Sequence, residues 1–112
     1  MTIETSTQDG VHIVKLTGKL GMGPALDQFN AAMHELLSQS HNKIVLDLQE
    51  MTAMDSSGIG ALVRHLTTAR RSGGAIKLSK PADLISQTLK MVGLLNLFPT
   101  YQDLPAAVSS FR

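Results

Sequence analysis

A short, unbroken apolar run between two helical patterns is the feature that most constrains the fold of this chain. Residues 43–48 have the sequence Lys-Ile-Val-Leu-Asp-Leu, which is rich in strand-forming residues and too short for an ordinary helix. Such a run is typical of a central strand in a sheet that is covered on both faces. Strands that alternate with helices along the chain predict an α/β protein with a mixed sheet.

Three segments around this strand, residues 24–39, 57–71 and 81–92, have helical periodicity. Their apolar residues recur at spacings of three and four, which places them on one face of a helix. Gly93 is expected to end the third helix. The predicted inward-facing residues are Leu26, Phe29, Met33, Leu36 and Leu37 in the first helix, Ile59, Leu62, Val63, Leu66 and Ala69 in the second, and Ile85, Leu89 and Val92 in the third.

The rest of the chain completes one domain. Asp9 and Gly10 lie between two β-prone runs, and an Asp-Gly pair in that position predicts a hairpin. Residues 17–24 are punctuated by glycines and are predicted to form a loop. The 112 residues therefore fit a single α/β domain, residues 1–112, with four to five strands and about four helices. The other predicted elements are the hairpin strands 3–8 and 11–17, strands at 75–79 and 98–101, and a last helix at 104–111.

Charge and residue types exclude several classes of function. Lys and Arg number 10 and Asp and Glu number 9, so a net charge of +1 gives no field that would gather nucleic acid. Because cysteine is absent, disulfides, thiolate metal sites and cysteine nucleophiles are excluded. No segment approaches the roughly 18 apolar residues of a membrane span, and the N-terminus lacks a signal-peptide pattern. We expect no membrane insertion and a cytoplasmic location.

The histidines and methionines give no sign of a metal site or another cofactor. The histidines lie in four separate predicted elements without metal-ligand spacing, so they are expected at the surface. Five methionines are expected mainly in the core or at its edge, although Met22 and Met54 also flank the segment described next, where adaptable apolar side chains suit a partner. The histidines are His12, His34, His41 and His65, and the five methionines are Met22, Met33, Met51, Met54 and Met91.

Residues 54–58, Met-Asp-Ser-Ser-Gly, join the buried strand to the second helix through a short loop. The free N–H groups of the first helical turn are thereby placed at the carboxyl edge of the sheet, where α/β proteins bind ligands. Asp55 or Ser56 in this position suits a helix N-cap. A phosphoryl group is also well tolerated there, because its negative charge meets the positive end of the helix. From the residues alone, both roles stay open.

A catalytic function is not expected. A serine nucleophile needs a base within hydrogen-bond reach and an oxyanion site, and residues 54–58 lack the first glycine of a Gly-x-Ser-x-Gly elbow. Gly18, Gly21 and Gly23 lack the spacing of a phosphate-binding loop. The second helix has a basic face that is expected to be merely solvated, formed by Arg64, Arg70 and Arg71.

Several short motifs, taken in order, resemble one known family. They are Leu16-Thr17-Gly18, Leu46-Asp47-Leu48, the run Met54-Asp55-Ser56-Ser57-Gly58-Ile59-Gly60, Gly73-Gly74 and Val92-Gly93-Leu94-Leu95. Over nearly its whole length the chain resembles the STAS domains of bacterial anti-sigma factor antagonists. The order and spacing of the motifs make this resemblance much more specific than any one of them.

The resemblance implies a partner-switching regulator. In that family, the unphosphorylated antagonist binds an anti-sigma factor that is also a serine kinase, and so releases a sigma factor. The kinase phosphorylates the serine after the aspartate, here Ser56, with Ser57 as a secondary candidate, and a metal-dependent serine phosphatase reverses the step. The residues expected at the partner surface are Gly21, Met22, Met54, Asp55, Ser56, Ser57 and Gly58.

The sequence departs from the family pattern at two positions. After Leu16-Thr17-Gly18 the family usually has an acidic residue, an aliphatic one and an aspartate, whereas this chain has Lys19, Leu20 and Gly21. The loop that carries these residues is expected near Ser56. The alternative function is therefore a stand-alone STAS subunit that docks on the ATPase of a lipid-type ABC transporter, or a scaffold in a signalling assembly.

Overall fold

The computed structural model describes all 112 residues and contains a mixed sheet with four α-helices. The strand order is β1-β2-β3-β5-β6, with β4 beside the end of β2; β1 is antiparallel to β2, and the other pairings are parallel. The predicted α/β class is confirmed. No helix combines the length and apolar character needed to cross a bilayer. In chain order the elements are β1 (Thr2–Gln8), β2 (Val11–Leu20), α1 (Pro24–Ser38), β3 (Lys43–Asp47), β4 (Met51–Met54), α2 (Ser56–Arg71), β5 (Ala75–Ser79), α3 (Asp83–Met91), a 3-10 turn (Leu95–Leu97), β6 (Thr100–Tyr101) and α4 (Leu104–Ser109).

The predicted hairpin at Asp9 and Gly10 is confirmed. Both residues have positive φ, 53° and 79°, and they close a two-residue loop between paired Gln8 and Val11. Positive φ at both central residues is the geometry of the turn whose twist matches that of the flanking strands. The tight turn therefore fixes the register of the first two strands.

Apolar side chains cover the sheet on both faces. One cluster packs β2, β3 and β5 against α1, α2 and α3, and a smaller one packs the opposite face against α4. Alternate residues of β2 enter opposite clusters, as the pleat of a strand requires. From β2, Val14 and Leu16 lie in the larger cluster, and Val11 and Ile13 in the smaller one.

The prediction of a loop from residue 17 onward is wrong. β2 continues to Leu20, and its last residues pair in parallel with β4, a strand that was not predicted from the sequence. Gly18 interrupts the alternation of apolar residues along β2, so the pattern read from the sequence stops there. Leu20 continues the alternation and is fully buried. The sheet therefore reaches to the edge of the segment that carries Asp55 and Ser56.

The predicted helices are confirmed, with corrections at the end of the third. Ile85 and Leu89 are buried, but Val92 lies just beyond α3 with 51% of its surface exposed, and Met91 is 87% exposed. Gly93, with φ of 75°, turns the chain away before Val92 completes another inward turn. The expected inward position of Val92 and the expected core position of Met91 are both wrong.

His65 is not the surface histidine that the sequence suggested. It lies half-buried between α1 and α2, with its Nε2 atom 2.8 Å from Asn30 Oδ1 and its ring edge-on to Phe29 at 5.4 Å between centroids. Burial lowers the pKa of His65 to about 4, and the charges of Arg64 and His34 act in the same direction. The contact between α1 and α2 therefore holds a neutral imidazole.

Acidification is expected to destabilise the fold through His65. Its pKa is 6.5 when unfolded and about 4 when folded, so the unfolded chain binds more protons between these values, and the free energy of unfolding falls as the pH is lowered through this window. Because the ring is partly exposed, we expect a loss of about 1–2 kcal/mol. Denaturant titrations of the unsubstituted chain and His65→Gln at a series of pH values measure it.

The stability difference between these two proteins should change between pH 6.5 and 4 and be constant above pH 6.5. Arg71→Gln, at an exposed position near the end of α2, is the control and should leave the pH profile unchanged, because Arg71 does not contribute to the low pKa of His65. If the difference in the free energy of unfolding between the unsubstituted chain and His65→Gln does not depend on pH, then folding does not lower the pKa of His65.

Candidate functional site

The carboxyl ends of two parallel strands meet at the segment singled out in the sequence. Leu20, the last residue of β2, pairs with Met54, the last residue of β4. A single residue, Asp55, then separates β4 from α2, whose first residue is Ser56. The loop from β2 to α1 leaves the same edge, so the two segments lie side by side.

Asp55 joins this loop to the start of α2. Its Oδ1 accepts a hydrogen bond from the Gly58 N–H at 2.9 Å, and its Oδ2 accepts one from the Met22 N–H at 3.0 Å. Its own N–H donates to the Leu20 carbonyl at 3.2 Å. Asp55, and not Ser56, is therefore the N-cap of α2. Its second carboxylate oxygen also fixes the position of Met22.

The carboxyl of Asp55 stays ionised at neutral pH. Hydrogen bonds from the N–H groups of Met22 and Gly58 lower its pKa, and weaker effects from the Ser57 N–H and the charge of Lys19 act in the same direction, against partial burial. A fixed negative charge therefore lies directly before Ser56.

Two glycines allow the close approach of these segments. A Cβ at Gly58 would lie 2.6 Å from the Leu20 carbonyl oxygen and 3.0 Å from Met54 Cγ, and one at Gly21 would lie 2.9 Å from Asp55 Oδ2. Both glycines are buried. Both were predicted to lie at the partner surface. Because they are buried, they determine its shape but offer a partner little accessible area.

The two candidate phosphoacceptors differ in accessibility. Ser56 is exposed and its hydroxyl makes no hydrogen bond within the chain, whereas Ser57 is half-buried. Because a kinase must reach the hydroxyl oxygen, the structure favours Ser56 over Ser57. Neither hydroxyl is hydrogen-bonded to a histidine or a carboxylate that could act as its base.

The surface around Ser56 is apolar on one side and has no concave pocket. Met22 is 79% exposed and lies in the loop that Asp55 holds, while Met54 is half-buried. None of the three cavities of the molecule is lined by residues 54–58, and no group of three or more His, Asp or Glu residues is placed to hold a metal ion. An open surface of this kind suits another protein better than a small ligand.

Comparison of the sequence with known families identifies one family. A family model described as the STAS domain matches residues 2–107. The chain belongs to the STAS domain family. An anti-sigma F factor antagonist from Paenibacillus polymyxa is 29% identical to it over 104 residues, which make up 92% of this chain and 88% of that protein.

Solved structures of STAS proteins have the same fold. An anti-sigma factor antagonist from Mycobacterium paratuberculosis superposes with a TM-score of 0.86 at 22% identity, over 97% of this chain and 92% of that one. The Bacillus cell fate determinant SpoIIAA in its phosphorylated form gives 0.77 at 18% identity, over 99% and 100% of the two chains. At these identities the structures establish the architecture alone.

The structure places Asp55, Ser56 and Ser57 of this STAS domain at the strand-to-helix junction, and the loop after β2 lies beside them, as expected from the sequence. Two supports of the junction were not predicted. The Leu20 carbonyl, which accepts the Asp55 N–H, was not expected there because β2 was predicted to end at residue 17. The strand β4 was not predicted because its four residues are too few to give a strong periodic signal.

Proposed function

We propose that this STAS domain is an anti-sigma factor antagonist that works in the cytoplasm, as a regulator and not as an enzyme. In its unmodified form it binds an anti-sigma factor that is also a serine kinase, and thereby releases a sigma factor. The observation that carries the proposal is Ser56, whose free, exposed hydroxyl stands on a junction fixed by Asp55 and next to the exposed Met22. The name of the Paenibacillus polymyxa relative supports the role.

The switch is reversible phosphorylation of Ser56. The kinase transfers the γ-phosphoryl group of ATP to Ser56 Oγ, which loses its proton, and ADP leaves; a metal-dependent phosphatase returns the serine by hydrolysis. The added charge of about −1.5 to −2 stands beside the ionised Asp55. Repulsion and desolvation at a packed interface then both weaken the complex. That SpoIIAA has been solved in a phosphorylated form supports this mode of control.

The experiment that tests the proposal combines labelling with binding. After incubation with the cognate kinase and ATP, intact-mass and peptide spectra should show one phosphoryl group on Ser56, none in Ser56→Ala, and normal labelling in Ser57→Ala. Ser56→Asp should bind the unliganded anti-sigma factor at least about tenfold more weakly by calorimetry, because a carboxylate supplies part of the phosphoryl charge.

Ser109→Asp is the matched control for binding. Ser109 is also an exposed serine, but it lies on α4, which covers the opposite face of the sheet. The control should bind like the unsubstituted chain. Equal binding by Ser56→Asp and Ser109→Asp would rule out the switch.

The positive charge of Lys19 is the observation that favours the alternative partner. Lys19 stands where the family usually has an acidic residue, and it lies close enough to Asp55 to affect its pKa. Affinity purification from the source cells followed by mass spectrometry separates the two functions. Recovery of a transporter ATPase without an anti-sigma factor would replace the leading proposal with the transporter-subunit one.

A further inference from the structure

Two exposed cationic side chains, Lys19 and Arg64, extend toward glycines on the two segments that meet near Ser56. Lys19, at the end of β2, extends over Gly21: its Cε lies 3.1 Å from the position that a Gly21 Cβ would occupy, and Asp55 Oδ2 lies 2.9 Å from the same position. The Lys19 side chain is therefore beside the carboxylate that immediately precedes Ser56.

Arg64 extends along α2 toward its N-terminal end. Its Nη1 atom lies 3.7 Å from the Cβ position of Gly60, so the guanidinium lies back over the preceding turn, in the direction that helical side chains favour. Ser56, Gly60 and Arg64 are spaced by four and share one face of the helix. Because Gly60 has no side chain, it places no side-chain atoms between Arg64 and Ser56 on this face.

Both cations are unpaired in the unmodified chain. The two ion pairs of the molecule join Lys15 to Glu50 and Arg112 to Asp9, and neither Lys19 nor Arg64 donates a side-chain hydrogen bond within the chain. Both are exposed. Their charges are therefore available to an anion that arrives at the start of α2.

The start of the helix cannot satisfy such an anion by itself. Asp55 already accepts the N–H of Gly58 and lies next to that of Ser57, so a phosphoryl group on Ser56 meets a carboxylate where it would otherwise find free donors. Two negative groups in contact repel each other unless positive charge lies close to both. Lys19 and Arg64 are placed to supply that charge.

We propose that Lys19 and Arg64 bind the phosphoryl group of phosphorylated Ser56, Lys19 from across Gly21 and Arg64 along the face of α2. The inference rests on the proposed function for the modification itself. A guanidinium suits the oxygens of a phosphate dianion because its N–H groups form a planar fork, and an ammonium adds a compact second charge. Phosphorylation then also neutralises two positive charges on this surface.

The test uses phosphoserine incorporated at position 56 during protein synthesis, so that no kinase is needed. A phosphorus NMR titration gives the second pKa of the phosphoryl group in the unsubstituted chain, Lys19→Gln, Arg64→Gln and the double variant. Each single substitution should raise that pKa by about 0.5 units, and the double one by about 1 unit, because a nearby positive charge favours the dianion. The shifts should shrink as NaCl is raised from 0.05 to about 1 M.

Arg71→Gln is the control, since Arg71 is equally exposed but lies at the far end of α2; it should titrate like the unsubstituted chain. A pKa that is the same in all variants would overturn the proposal, and a shift in only one of the single variants would overturn the two-sided arrangement. Because phosphoserine is incorporated during protein synthesis, this result does not depend on whether a cognate kinase modifies Ser56.

Discussion

Replacing Gly58 with alanine is expected to lower the free energy of unfolding by about 2 kcal/mol. The new methyl group would lie 2.6 Å from the Leu20 carbonyl oxygen, and no rotation can move a Cβ away from a backbone atom. The start of α2 must therefore separate from the end of β2, and this cost exceeds the gain in helix propensity of about 1 kcal/mol. Chemical denaturation measures the loss, and calorimetry should show weaker binding of the proposed anti-sigma partner.

Gly60→Ala is the matched control two residues further along the same helix. Its Cβ would have only an ordinary contact, 3.7 Å from Arg64 Nη1. Removing a glycine from a helix interior without a clash is expected to raise the free energy of unfolding by about 0.5–1 kcal/mol. If both variants changed stability in the same direction, the close contact between Gly58 and Leu20 would not control the junction.

The contrast between these glycines shows where sequence patterns stop being informative. Periodicity placed both on α2, and the resemblance to the family pointed to Gly58. Neither signal shows that the neighbour of Gly58 is the carbonyl of Leu20, 38 positions earlier, because that contact depends on the pairing of β2 with β4. The elements with strong periodicity, α1, α2 and β3, were predicted closely because each buries one continuous stripe or run of apolar side chains.

The parts that were predicted wrongly depend on distant partners in the fold. The hydrophobic pattern of β2 is broken by Gly18, yet the strand continues because β4 supplies hydrogen-bonding partners for it. His65 has no sequence neighbour that marks it as half-buried; Asn30 and Phe29 of α1 surround it only after the two helices pack. Short strands and polar residues in helix contacts are set by packing, which local patterns do not encode.

Asp55 connects the site of the added charge, Ser56, to the loop that carries the exposed Met22. Its two carboxylate oxygens are shared between α2 and the loop that carries Met22. In the proposed phosphorylated state, a phosphoryl group on Ser56 would compete with that carboxylate for nearby positive charge. Because Asp55 accepts the Met22 N–H, we expect a shift of Asp55 to move Met22 with it.

Replacing Asp55 with asparagine is expected to release the loop while keeping the helix cap. Asparagine caps helices about as well as aspartate, so its Oδ1 retains the Gly58 N–H, but its Nδ2 then faces the Met22 N–H as a second donor. Amide hydrogen exchange at Met22 should become about tenfold faster, with little loss of helix stability. Asp55→Ala should lose both bonds and lower the melting temperature by about 5 °C.

The pH dependence of the melting temperature distinguishes the effect of the Asp55 charge from that of its hydrogen-bonding geometry. Since folding lowers its pKa below the ordinary 3.8, the stabilisation from the ionised group is complete above that pH and is lost as the pH falls through the folded value. The difference in melting temperature between the unsubstituted chain and Asp55→Asn should be constant near neutrality and shrink on acidification. Asp103→Asn is the control, because Asp103 caps α4 through the Ala106 N–H at 2.8 Å and holds no second loop. Protection at Met22 that survives Asp55→Asn would mean that the loop is held by its own packing, and that charge at Ser56 reaches Met22 by another route.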